Sequence, residues 1–152
     1  MGKIHIANEG HVVSVLPPVS GTASGVAFSM KNYSHASIII TQGVAASATT
    51  VAVSRIPAFG SGGTGTAIPF DYYLEATSGG DTLAGKVVAT AGGVSLTSGS
   101  NQILVIEIDD DEMITSSPNI CLEMSSANSL ISAVAILSGA RYAGDQSPTV
   151  IS

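Results

Sequence analysis

The feature that most constrains this chain is the period of its hydrophobic residues. Short stretches alternate apolar with small or polar residues, and Gly, Pro, Asn or Ser soon interrupts each one. HVVSVL (11–16) is an apolar run that meets Pro17-Pro18, and GVAFSM (25–30) sets Val26, Phe28 and Met30 against small neighbours. HASIIITQG (35–43) is rich in β-branched residues, and TTVAVSRI (49–56) alternates until Pro57 closes it. TAIPFDYYLEA (66–76), GKVVATA (85–91), QILVIEI (102–108) and NICLEMS (119–125) follow the same rule. A strand turns successive side chains to opposite faces, so period 2 means one wet face and one buried face. Eight or nine such segments between turn residues predict an all-β, antiparallel sandwich or barrel.

One segment reads two ways. SLISAVAILSGARYA (129–143) places Val134, Ile136, Ser138, Ala140 and Tyr142 on one parity, as a strand would. Leu130, Val134 and Leu137 also stand at i, i+4 and i+7, as on a helix. Val, Ile, Ser and Gly are poor helix formers, which favours the strand. GSGGTGT (60–66) reads as a flexible, exposed loop. No repeat of fixed period and no internal boundary appears. Residues 1–152 therefore form one β domain, with 1–10 and 146–152 as candidate N- and C-terminal arms.

Charge narrows the function classes. Charged residues are only 11% of the chain, against about 25% in a typical domain. So neutral a surface tends to be covered by a partner or by further copies of itself. Net charge is −6, and Lys3, Lys31, Arg55, Lys86 and Arg141 are scattered singly. No basic stripe exists to meet phosphates, which argues against nucleic acid. Cys121 is the one cysteine, so no intrachain disulfide forms, and its place in an alternating segment reads as a small buried hydrophobe. The start has no apolar stretch of the signal-peptide kind, and Ile6 stands where a myristoylation signal needs Ser or Thr. The long uncharged stretches, 32–54 and 87–106, are broken by polar residues and Gly, so no membrane helix is expected.

The residues with chemical potential are few. Asp109, Asp110, Asp111 and Glu112 follow directly on an apolar strand. An EF-hand calcium loop spaces its oxygen ligands at alternate positions around a fixed glycine. Consecutive carboxylates in extended chain point apart, so Asp109, Asp111 and Glu112 are weak metal candidates and no metal is expected. The better reading is a turn in which Asp110 or Asp111 caps the chain through Glu112-Met113 and the charges face water. His5, His11 and His35 with one cysteine make no zinc pattern, and His35 reads as a structural residue at a strand start. GVSLTSG (93–99) lacks the second glycine of a GxSxG elbow, and GSGGTGT lacks the Lys-Ser/Thr ending of a phosphate loop. Tyr72 and Tyr73 are adjacent and face opposite ways on a strand, so core packing fits them better than a sugar platform. Arg141 and Tyr142 follow an apolar strand and are candidate interface residues, Arg141 as an ion pair with an acid such as Asp71.

FSMKNYSH (28–35), FDYYLEATSGGDTL (70–83), ILVIEID (103–109) and SAVAILSGARYAGDQSPT (132–149) carry a further signal. Together they resemble a family of small proteins encoded near the capsid genes of tailed bacteriophages, over most of residues 25–150. Among these the chain is similar to capsid cement, or decoration, proteins. The resemblance implies a jelly-roll-like fold, a homodimer or homotrimer, and a place on the outer surface of the virion after synthesis in the host cytoplasm. It implies the major capsid protein as partner, clamped between neighbouring subunits, with no enzyme activity and no cofactor. The same β-pattern also suits a carbohydrate- or receptor-binding module, or a head–tail or tail component. A hydrolase would need a Ser/His pair or perturbed carboxylates meeting in a cleft.

Overall fold

A computed structural model describes residues 5–6, 10–20, 27–59, 65–77, 79–98, 101–125 and 130–141. Eleven strands account for most of them: β1 (His11–Ser20), β2 (Ala27–Ser29), β3 (Tyr33–Gln42), β4 (Thr49–Ile56), β5 (Thr66–Ala67), β6 (Phe70–Glu75), β7 (Val87–Ala89), β8 (Val94–Leu96), β9 (Gln102–Asp109), β10 (Asn119–Met124) and β11 (Leu130–Ala140). A single 3-10 turn, Asp110–Glu112, follows β9. The candidate arms lie outside the described residues except at 5, 6 and 10, where the Gly10 N–H donates to the Ile6 carbonyl. Most of the loop at 60–66 lies outside them too.

Two antiparallel sheets result. The first has the order β1-β11-β3-β9-β6-β7; the second has β2-β10-β4-β5, with β8 also on β4. Four pairings show how the chain is wound: β1 with β11, β2 with β10, β3 with β9 and β4 with β8. The first four strands therefore meet the last four in reverse order, and each step along either half crosses to the other sheet. That is the winding of an eight-stranded, double-sheet jelly roll. β5, β6 and β7 are inserted between the halves, and β6 and β7 widen the first sheet beyond β9.

The core lies between the sheets and uses one parity of each strand. Ala36, Ile38 and Ile40 of β3 and Leu104, Ile106 and Ile108 of β9 are all fully buried. Phe28, Val51, Val53, Leu96, Ile120 and Leu122 meet them from the second sheet. β11 is a strand: Ile131, Ala133, Ala135 and Leu137 alternate inward, and Val134 and Ile136 form its other face. Strand pairing on both sides outweighs the partial helical spacing of its leucines and valine. Cys121 is buried, as its alternation implied, in a small cluster with Ala27 and Ile56 under Phe59 on the outer side of the second sheet.

The structure adds to the sequence reading at two places. Pro17-Pro18 does not end the first strand, which runs on to Ser20. β1 lies at the sheet edge, and its register slips between Ser14 and Leu16 and again between Leu16 and Val19. Both prolines are exposed there, where a missing N–H costs no ladder bond. The second is β8, three residues that carry no alternation signal on their own. A turn from Thr90 sets it up, closed by the Gly93 N–H on the Thr90 carbonyl and by Gly93 at φ +83°. A Cβ at Gly93 would overlap the Val51 carbonyl oxygen, so only glycine lets β8 approach β4.

Candidate functional surface

The outer face of the first sheet is partly exposed among the described residues, and the strand register fixes what it shows. Val134, Ile39, Val105 and Tyr73 stand directly opposite one another across β11, β3, β9 and β6. They form an apolar row perpendicular to the strands. Val12 and Leu130 flank it toward the β1 and β11 side, 50% and 63% exposed, and Ile103 lies one row away on β9 at 39%. Tyr72, on the opposite parity, packs on the core, and Phe70 is buried. Of the aromatics in the FDYY run only Tyr73 reaches this face, too little aromatic surface for a stacking platform.

The next rows toward the β9 C-terminus are polar on β3 and β9. The same register puts Ser37 opposite Glu107 and His35 opposite Asp109. His35 Nδ1 lies 2.7 Å from Asp109 Oδ1, and Nε2 lies 2.8 Å from Glu107 Oε2. The Ser37 hydroxyl donates to the same Glu107 oxygen at 2.6 Å and lies 3.2 Å from His35 Nε2. Ser37, His35 and Asp109 thus have the connectivity of a nucleophile triad, but not its hydrogen-bond polarity. In a triad the imidazole accepts the serine proton. Here the serine hydroxyl donates to Glu107 instead, and each ring nitrogen faces a carboxylate oxygen. The group lies on a flat sheet face and does not line the cavity described below, so it is a cross-strand clamp. Sequence reading placed His35 at a strand start but missed its partners. The signal was there: HAS and EID carry their polar residues on the outward parity of otherwise apolar segments.

Beyond this clamp the acidic run resolves into separate jobs. Asp109 sits at the start of the 3-10 turn without a side-chain cap bond, because its carboxylate is turned to His35. The expected capping by Asp110 or Asp111 is therefore replaced. Asp110 is held by Arg141 Nη2 at 2.7 Å, and its carbonyl accepts the Met113 N–H. Asp71, the pairing expected for Arg141, is instead bound by Lys86 at 2.8 Å, and this bond holds the Lys86 ammonium above its ordinary range. Arg141 Nε also donates to the Tyr33 carbonyl, so the side chain ties β11 to β3 and to the turn. Tyr142, the other interface candidate, lies outside the described residues. Glu112 does not face water freely. Burial, with the charges of Asp111, Asp109 and Asp71, pushes its carboxyl up, while its carbonyl takes a bond from Arg55 Nη1. Among the described residues no group of three His, Cys, Asp or Glu side chains is arranged to hold a metal ion.

A cavity of about 500 Å³ opens beside the turn, between Met30, Lys31, Met113, Ile114, Pro118 and Arg141. Its size is in the small-molecule range, and Thr115 and Asp110, the latter held by Arg141, also line it. No helix of the described residues is long and apolar enough to cross a membrane. Comparison of the chain with family models, curated proteins and solved structures finds no match.

Proposed function

We propose that the protein is a structural component of a tailed-bacteriophage virion. Specifically, it is a capsid cement protein that oligomerises on the outer surface of the shell and stabilises contacts between major capsid proteins. The observation that carries this reading is the apolar row left partly exposed on the outer face of the first sheet of the jelly roll. A binding protein keeps an apolar patch exposed; an enzyme keeps reactive groups free in a cleft. The fold supports the reading by analogy alone, since double-sheet jelly rolls recur in viral capsid and lectin domains. The lectin-like alternative is weakened by the single outward aromatic of the FDYY run. The likeness of four sequence stretches to phage proteins encoded near capsid genes points the same way as the open face.

Light scattering on the eluting peak of a sizing column, with calcium and then with EDTA, tests the oligomer. A stable dimer or trimer indifferent to EDTA is expected, and a monomer whose stability follows calcium would turn the assignment toward a ligand-binding module. Adding the protein to capsids purified without it tests the rest. Saturable co-sedimentation and a higher temperature of shell rupture are expected; no binding refutes the cement role.

A further inference from the structure

We propose that the open face of the first sheet docks a different protein, one that offers an apolar ridge flanked by lysine or arginine. The site deepens the virion reading, on which the identity of that partner as the shell subunit rests. The outer side of the second sheet carries a satellite cluster packed under Phe59, whereas the first sheet leaves Val12, Val134, Ile103 and Leu130 exposed. Among the described residues Gly10 packs close to Ile136, where a Cβ would lie 2.9 Å from it, and Gly43 lies beside Leu130.

Charge decides between a second copy and another protein. Asp71, Glu75, Glu107 and Asp109 stand outward on β6 and β9 beside the row, with Lys86 and His35 as their cationic or titratable counterparts. A second copy has little to set against them. The chain holds 5 Lys and Arg against 11 Asp and Glu. Among the described residues Lys31 and Arg141 line the cavity, Arg55 reaches the Glu112 carbonyl, and Lys86 is already on Asp71. An acidic, apolar face on an acidic chain is complementary to a basic, apolar one. The face spans six strands, which at about 4.8 Å apart and about six residues long gives roughly 500 Å². That is the low end for a specific contact, so one face binds weakly and an oligomer binds through several at once.

The test uses the full chain, with a fluorescent alternating Leu–Lys peptide and its Leu–Glu counterpart as probes, and capsids as a second target. Leu–Lys binding that falls about tenfold in Val134→Lys, in Glu107→Gln and at high salt supports the proposal. Equal binding of the Leu–Glu peptide, or no binding of Leu–Lys, overturns it. Val134 is outward and partly exposed, so Val134→Lys folds, and an unchanged melting curve checks this. Leu–Lys binding without capsid binding keeps the docking chemistry and removes the virion assignment. Capsid binding that survives Val134→Lys and Glu107→Gln undiminished removes the docking site and keeps the virion assignment. An oligomer that Val134→Lys dissociates gives the face to a second copy and overturns the proposal.

Discussion

Gly93 and Gly79 separate two causes that usually travel together. Both have left-handed backbones, at φ +83° and +75°. A Cβ on Gly79 meets nothing within 4 Å, whereas one on Gly93 overlaps the Val51 carbonyl oxygen and comes within 3.0 Å of Ala52 Cα. Gly79→Ala should therefore cost only the left-handed conformation, about 1–2 kcal/mol. Gly93→Ala pays that and must also push β8 off β4. The retreat loosens a three-residue pairing and uncovers part of Leu96, which is fully buried. Full burial of a leucine contributes about 1.5–3 kcal/mol, so losing about half of it with the strand bonds brings the total to about 3–4 kcal/mol. At a urea slope near 2 kcal/mol per molar, the midpoint should fall by about 0.5–1 M for Gly79→Ala and by about 1.5–2 M for Gly93→Ala. Urea unfolding followed by circular dichroism reads both. Equal shifts for the two variants would refute the close approach of β8 to β4.

The remaining predictions concern the polar surface and the cysteine. Ser37→Ala should lower stability by about 1 kcal/mol through its lost bond to Glu107, and leave hydrolysis of p-nitrophenyl acetate at the buffer rate; an esterase rate that Ser37→Ala abolishes would make the clamp an active site. Because burial raises the Glu112 pKa above 4.5, the folded state binds more protons than the unfolded state just above that value, so this group's contribution to stability falls as pH rises through that window. Glu112→Gln should flatten that part of the pH profile and be no less stable at pH 7, and millimolar calcium should leave the Tm of the parent unchanged; a less stable variant, or a calcium-dependent Tm, would contradict the reading. Burial, aided by Glu123, raises the Cys121 thiol pKa, so it should react with a disulfide reagent only as fast as the chain opens, and rapid labelling of the native protein would contradict its burial.

The sheets were legible because alternation needs no partner to be seen. The inward parity of β3, β9 and β10 can be read from Ile38, Ile106 and Leu122 alone. What sequence could not supply was pairing. β8 is too short to alternate, and its place depends on a glycine whose role appears only when Val51 is beside it. The prolines of β1 looked like a stop because nothing local says that the strand is an edge. The acidic run read as one solvated turn because consecutive carboxylates look alike in sequence. Across the strands they differ: Asp109 goes to His35, Asp110 to Arg141, and Glu112 is half-buried. The clamp was the least legible part, since its four members come from two segments separated by about seventy residues.

The reverse-order pairing also sets when this molecule can form. β11 lies between β1 and β3, and β10 lies between β2 and β4. During synthesis the first four strands leave the ribosome with none of their central partners yet made. They wait, edges exposed, until the last two strands arrive and enter the sheets like keystones. A chain so dominated by non-local pairing should fold slowly. Its period of greatest exposure to aggregation is the interval before residue 140 is added.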